Sequence, residues 1–389
     1  FNAMPGDYLV LATFELAYSS TSLPASAFLV VDDAVFGEAR KEPQATTNWH
    51  NVAWIKRVSL SAGWHTVKVQ FSSNDESGAA VASIDNIHLS VWKLPSGYFY
   101  GEREGQASAS TTTGTFYTLS FTAPEDDNYL IIGSIEFMTS DAADIQILLD
   151  VDGTDIRNIT LEAADSTDWR PIGVHAIAEL AAGDHAISWE WGSGGASRAL
   201  RRARIVAIPL KRLIWFNTYL ASYLNVPGVY PTFTDLLSLS MDITQSGSYL
   251  VLGSAEMYQD SVNTYLRLDI DGSPYHTCRE TPEEDRDEVW VLFSKLIDLS
   301  AGAHTAKLQG AVDAVASDIY DLQLSAIYAA TMYSEVEHVI YGPDTADNYI
   351  LEIEYYVTGE PGDAENFALY LYNFWDGRWD LVGILSGGT

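Results

Sequence analysis

The sequence predicts an all-β protein made of tandem, jelly-roll-like antiparallel β-sandwiches: three homologous modules and a partial fourth β domain of another type. Two observations predict it. Three landmarks recur with a period of roughly 120 residues. Within each period, runs of Val, Ile, Leu, Tyr, Phe and Thr alternate with Gly/Asp/Ser/Pro turns roughly every 8–12 residues, and no helical period of about 3.6 emerges.

The first landmark is a Tyr opening an apolar strand: Tyr8-Leu9-Val10-Leu11, Tyr129-Leu130-Ile131-Ile132 and Tyr249-Leu250-Val251-Leu252. The second is a turn entering a strand, at Ala62-Gly63-Trp64-His65, Ala182-Gly183-Asp184-His185 and Ala301-Gly302-Ala303-His304. The third is an apolar strand reaching an acidic turn, at Val31-Asp32-Asp33, Val151-Asp152-Gly153 and Ile270-Asp271-Gly272. Three landmarks sharing one period are not a chance pattern. They divide the chain into modules at 1–95, 96–212 and 213–329, the first lacking its opening strand. Each full unit has room for about eight strands, the size of a jelly roll. The linkers at Ser96-Gly97 and Lys211-Arg212 are short, so neighbouring modules are expected to stack closely. After about residue 330 the period breaks. Residues 330–389 read as the front of another sandwich, with an Asp-Gly hairpin at Phe374-Trp375-Asp376-Gly377-Arg378-Trp379.

The 389 residues are 47% hydrophobic and 19% charged, enough for packed cores and too apolar for disorder. Acidic residues number 53 against 21 basic, a net charge of -32. Nucleic acid is therefore excluded as a partner, because its phosphates would be repelled. The same charge keeps a repetitive β protein soluble and discourages edge-to-edge pairing. No run reaches the roughly 18 apolar residues of a membrane span. The single cysteine, Cys278, rules out an internal disulfide framework. Phe1 already reads as strand and Gly387-Gly388-Thr389 follows a strand-like run, so the chain is expected to be a segment of something longer.

The recurring His65, His185 and His304 fall on the core side of their strand, at the sandwich rim, because alternate strand residues face opposite ways. A metal ligand or base is one reading. A part-buried His bonded to a turn carbonyl is the simpler one, since no second His or Cys recurs beside it. Trp189 and Trp191 are replaced by Val69 and Phe71, then by Leu308 and Gly310, the pattern of core filling. Trp375 and Trp379, flanking a turn, are the candidates for an exposed platform that stacks on sugars. Asp150, Asp152 and Asp155 resemble the start of a calcium loop, with Asp269 and Asp271 matching in module three but Pro274 replacing the third acid. A β-hairpin turn explains these acids more simply; calcium is the alternative, and no other cofactor is indicated. The acidic run from Glu280 to Glu288 reads as a solvated loop. Asn158-Ile159-Thr160 fits a glycosylation sequon that the other modules do not repeat. Nucleophile-elbow, phosphate-loop, dinucleotide and zinc-protease motifs are missing.

Tyr100-Gly101-Glu102-Arg103-Glu104-Gly105-Gln106, the stretch Phe116 to Pro124 with Asn128-Tyr129-Leu130-Ile131, and Arg201-Arg202-Ala203-Arg204-Ile205-Val206 resemble modules of bacteriophage and archaeal virus structural proteins. The resemblance implies a jelly-roll module of a fibre, decoration protein or appendage. The Arg-rich closing strand is absent from modules one and three, which have Ile87-His88-Leu89 and Leu322-Gln323-Leu324 instead. The reading is a non-enzymatic structural or assembly protein of a virion or extracellular filament, at the virion or extracellular surface. It stacks its modules for extension, decoration or attachment and is partnered by copies of itself or other subunits. The alternative is a carbohydrate-binding array of a surface adhesin or a secreted glycosidase that recognises cell-surface glycans.

Overall fold

The computed structural model describes residues 1–18, 25–41, 49–73, 82–109, 113–139, 145–161, 169–192, 198–211, 213–260, 263–280, 285–313, 317–329, 332–338, 353–355, 366–373 and 378–386. Among these the chain is all-β, in antiparallel sheets that pair into jelly-roll-like sandwiches. Residues 1–355 form one compact unit and 356–389 a second. The second contains a hairpin of Asn366–Asn373 and Arg378–Ser386, as the Asp-Gly turn predicts.

The sandwich around residues 99–209 shows the plan. Its inner sheet orders Ala107–Ala109, Arg198–Pro209, Asp127–Thr139 and Arg170–Leu180, with Phe99–Arg103 also paired to Arg198–Pro209. Its outer sheet orders Gly114–Ala123, Gly183–Trp191, Ile145–Val151 and Thr154–Leu161. The third sandwich repeats this with Ser317–Tyr328, Gly247–Asp260 and Asp285–Leu299 inside, and Thr234–Ile243, Gly302–Val312, Thr264–Ile270 and Ser273–Glu280 outside. The first has Ala82–Lys93, Gly6–Tyr18 and His50–Leu60 inside, and Val67–Ser73, Ala25–Val31 and Ala34–Lys41 outside. The central strands bulge at the same place, after Thr13, Ser134 and Ser254. Opposite each bulge lies a residue at positive φ: Asn86, Arg202 or Asp321.

Each sandwich has its own core. Tyr8, Tyr129 and Tyr249 are sealed in it, and Tyr8 and Tyr249 donate their hydroxyls to the carbonyls of Met4 and Gln245. Trp189 is wholly buried and Trp191 packs at the core margin, so both fill the core as expected. Gly133 lies under the Trp189 ring, where a Cβ would come within 2.6 Å of it.

A fourth apolar cluster belongs to no single sandwich. It gathers Leu9, Leu11, Ile55 and Trp92 from module one, Leu130, Ile132, Val206 and Ile208 from module two, and Leu250, Leu252, Leu292 and Ile327 from module three. The physical cause is alternation along the central strands. Tyr8, Val10 and Ala12 point into their own sandwich, while Leu9 and Leu11 point the other way. An apolar run facing both ways must be covered on both sides. The three inner sheets cover one another.

Ala53, Gly173 and Leu292 occupy one position of the repeat, each opposite the residue that precedes the bulge. A Cβ on Gly173 would lie 2.6 Å from the Ala53 Cβ and 3.0 Å from Leu292 Cδ2. Equivalent residues of three modules thus meet at one point, as they do on a rotation axis. The neighbours run in a cycle. Ala34–Lys41 packs on Arg170–Leu180, Thr154–Leu161 on Asp285–Leu299, and Ser273–Glu280 on His50–Leu60. The close stacking of the modules takes the form of a closed pseudo-threefold ring, because a row would leave the second face of each inner sheet in water. The change of domain expected at 330 also differs. Met332–His338 joins the inner sheet of module one, and the compact unit extends to Tyr355.

A leucine at position 173 would press into Ala53 and Leu292. The Gly173→Leu variant is expected to lower unfolding free energy by about 1–3 kcal/mol. Urea titration checks this, and Ala53→Gly in the same chain should recover part of the loss.

Candidate functional site

Three copies of one polar constellation lie at the sandwich rims. The acidic turns are two-residue hairpin loops with both central residues at positive φ: Asp32/Asp33, Asp152/Gly153 and Asp271/Gly272. The first Asp of each turn reaches the His that sequence analysis singled out. His65 Nδ1 lies 2.5 Å from Asp32 Oδ2, His185 Nδ1 2.6 Å from Asp152 Oδ2, and His304 Nδ1 2.5 Å from Asp271 Oδ2. The other carboxylate oxygen accepts the backbone N–H of the residue after the His, namely Thr66, Ala186 or Thr305. Nε2 of each His faces a turn carbonyl: Ser61, Ala181 or Ser300. Both ring nitrogens thus meet acceptors, which favours the imidazolium. The Asp hydrogen bond raises each His pKa, most of all, and a smaller rise comes from the turn carbonyl. Asp32 and Asp152 are held below the ordinary carboxylate range, since their hydrogen bonds from the His and the following backbone N–H outweigh partial burial. The constellation is a clasp between the hairpin turn and the next strand.

This accounts for two of the calcium candidates. Asp152 has both oxygens committed to the clasp, and Asp150 accepts the Gly153 N–H at 2.8 Å. Asp155 is exposed and pairs in register across the turn with Asp150. The three carboxylates do not assemble the six to eight oxygens calcium takes. Among the described residues no group of three or more His, Cys, Asp and Glu is placed to hold a metal ion. Trp375 lies outside the described residues. Trp379 has its backbone opposite Tyr372, and its side chain lies outside the described part.

The seams between sandwiches hold the remaining buried polar groups. A glutamate recurs on the far side of each bulge: Glu15, Glu136 and Glu256. Glu256 accepts the N–H of Thr160 at 2.9 Å, tying module three to module two. Glu15 accepts the N–H of Arg279, tying module one to module three. Burial pushes the Glu15 carboxyl up to about 7, against the pull of that N–H and of Asn86. Glu136 instead takes Arg201 and Arg202, and Arg202 extends to Glu38 of module one at 2.6 Å. Lys56 of module one reaches Glu102 and Glu104 at 2.7 and 3.1 Å, and Arg204 shares Glu104. The Arg-rich closing strand of module two is thus seam glue. Between modules one and three, His88 stacks on His276 with centroids 3.8 Å apart, and Glu280 accepts the N–H of Asn51. Burial pulls the His88 pKa down to about 3, so it stays neutral. Glu280 is wholly buried, which corrects the solvated-loop reading at that residue. Residues 281–284, and the side chains of 285–288, lie outside the described part.

Sequence reasoning missed the partner of each His. The signal was present: His and Asp lie 33 positions apart in all three repeats. It also missed the seam glutamates, each seven residues after the landmark Tyr within an apolar run. A third miss is the loop before Thr234–Ile243, where Val229 and Tyr230 are 54% and 47% exposed. Tyr230 lies flat on Tyr265, with centroids 4.3 Å apart. No sequence rule flagged that loop, because its stacked rings are far apart in sequence, Tyr230 in a turn and Tyr265 on a strand.

No family model and no curated protein matches the chain. Among solved structures it is similar to infectious bursal disease virus, Gt strain, at 12% identity, covering 92% of this chain and 72% of that one, TM-score 0.22. It is similar to Sulfolobus turreted icosahedral virus at 11% identity, covering 85% and 82%, TM-score 0.20. It is also similar to the tandem CBM22 domains of Paenibacillus barcinonensis Xyn10C at 10% identity, covering 60% and 93%, TM-score 0.18. At such values the likeness carries no functional argument. Among the described residues no helix is long and apolar enough to cross a membrane.

The clasps carry a pH signature. A raised His pKa in the fold stabilises at pH below the unfolded value of 6.5 and is lost as pH rises through the folded value. A lowered Asp pKa stabilises above the unfolded 3.8 and is lost as pH falls through the folded value. The clasp therefore contributes most between the two. The Asp152→Asn variant keeps the acceptor for Ala186 N–H and removes the charge. Its loss in melting temperature relative to wild type should be largest near about pH 5 and shrink towards about pH 9. NMR titration should show the His185 pKa falling in this variant.

Proposed function

We propose that the chain is a non-enzymatic structural component of a virion or an extracellular filament, acting in decoration or attachment. The observation that carries this reading is the meeting of Ala53, Gly173 and Leu292 at one axis. Three sandwiches sealed about an axis make a rigid head. Such a body has no need for moving parts. The charged residues buried among the modules are occupied in holding them together, with Lys56, Glu102, Glu104 and Arg204 in one network. Its partners on this reading are other subunits of the assembly or further copies, and its place is the particle or cell exterior. Immunogold electron microscopy with antibodies raised against residues 1–355 tests it on particles and filaments purified from the source. Regular labelling of one of them is the expected result. Label found only in the soluble fraction would remove the proposal.

A second reading is recognition of glycans. The Tyr230 loop favours it. The loop is fastened to the Gly302–Val312 strand, with Tyr230 N–H donating to Val312 O at 2.8 Å and Val312 N–H to Gly228 O at 2.9 Å. A ring held out by such bonds loses little entropy on stacking against a sugar. Trp375 and Trp379 are the other candidates for a stacking platform. On a glycan array, Tyr230→Ala or Trp375→Ala should weaken binding by about tenfold, or roughly 1.4 kcal/mol. A wild-type chain that binds no glycan dismisses this reading without touching the first.

A further inference from the structure

In the inner sheet of module one, the edge strand comes from residues 332–338. One side of Ala82–Lys93 pairs with the central strand Gly6–Tyr18. The other side pairs with Met332–His338. In module two the equivalent edge takes Phe99–Arg103, and in module three Trp215–Leu220.

The three added strands share one register. Phe99 lies opposite Ala207, Phe216 opposite Ala326, and Ser334 opposite Val91. Ala207, Ala326 and Val91 in turn lie opposite Ile131, Val251 and Val10, which are equivalent positions of the repeat. The strands also share the period. Phe99, Phe216 and Ser334 are 117 and 118 positions apart, and each follows an aromatic residue: Tyr98, Trp215 or Tyr333. Each strand comes a few residues after the closing strand of the preceding module: Lys93 to Phe99, Pro209 to Trp215, Tyr328 to Met332.

The strand after module one opens module two, and the strand after module two opens module three. We infer that residues 332–338 are a further copy of the opening strand, and that the free edge of Ala82–Lys93 is a strand-acceptor site for this segment of the same chain. The next opening strand thus finds its acceptor in module one. An unfilled edge would leave a row of backbone N–H and C=O groups available to other chains. A tethered strand fills it first, because its effective concentration is about millimolar. The clusters of charge at the seams and the shared apolar hub hold the bodies together. The strand joins the first module to the last, where the backbone does not.

The test uses the full chain. Ser90 and Glu335 are register partners across the proposed junction. In the double variant Ser90→Cys/Glu335→Cys, mild oxidation should give a monomer with a disulfide linking positions 90 and 335, seen by peptide mapping. Its unfolding temperature should rise, and reductant should reverse the rise. In a separate variant, Val336→Pro, amide exchange in Leu89–Trp92 should speed up by at least about tenfold, while Ile205–Ile208 and Leu324–Ile327 stay protected. Thiols that remain free, with unchanged exchange in Val336→Pro, would overturn the inference. So would covalent dimers forming from mixed single variants in place of the monomeric link, since the acceptor would then take the strand of a second copy.

Discussion

The structure depends on the inner sheets being apolar on both faces. A sandwich normally buries one face of each sheet and wets the other. The outer sheets here follow that rule, and Gly114–Ala123 alternates between buried and exposed along its length. The inner sheets cannot, because Leu9 and Leu11, Leu130 and Ile132, Leu250 and Leu252 point away from their own cores. Each such side chain left in water would cost roughly 1.5–3 kcal/mol. Burying them needs a second apolar surface of matching shape, and the neighbouring repeats supply it. Period, ring closure and the placing of the seams follow from that one requirement.

The charge distribution follows as well. Only 21 residues are basic, and several of them are spent inward. Lys56, Arg157, Arg170, Arg204 and Lys295 are all buried. A buried charge is tolerated only with partners, and removing one partner costs more than the pair contributes. Arg204 has Glu104, Lys56 has Glu102, and the Arg157 guanidinium lies 4.7 Å over the Tyr219 ring. Glu15, Glu136, Asp150, Glu256, Asp269 and Glu280 are buried as well, so the outer surface keeps nearly all of the net charge of -32. That surface repels its own kind at long range, so association must rely on specific contacts close in.

Much of the fold was legible. Turn chemistry at Asp152-Gly153 and the core role of Trp189 could be read from single segments, because hairpin geometry and residue volume act locally. The His clasp was half legible. His185 was placed at the rim, but its partner Asp152 was drawn towards a calcium reading by its neighbours Asp150 and Asp155. Only the constant spacing of 33 positions connects the pair. The ring was not read, although its sign was present. Tyr129-Leu130-Ile131-Ile132 is a continuous apolar run, and a strand wetted on one side would alternate. Recognising the period made each module look self-sufficient and hid the fact that its inner sheet was not. The opening strand at residue 333 escaped for a different reason. Its identity lies in backbone register against Val91, and in the sequence only the spacing of Tyr98, Trp215 and Tyr333 marks it.

A homotrimer would have to place the same side chain three times on its axis. Here the axis position is filled by Ala53, Gly173 and Leu292. Three leucines would overpack the point where a Cβ on Gly173 already comes within 2.6 Å of Ala53, and three glycines would leave a void. One large, one small and one absent side chain fit together, and only a chain that carries all three modules can specify that set. The seams differ in the same way: salt bridges between modules one and two, a glutamate on a backbone N–H between two and three, and stacked histidines between one and three. Covalent linkage makes the ring independent of concentration and frees each module to vary on its outer surface. Module three uses that freedom to raise Tyr230 and Val229 into solvent, while the rim clasps stay the same in all three.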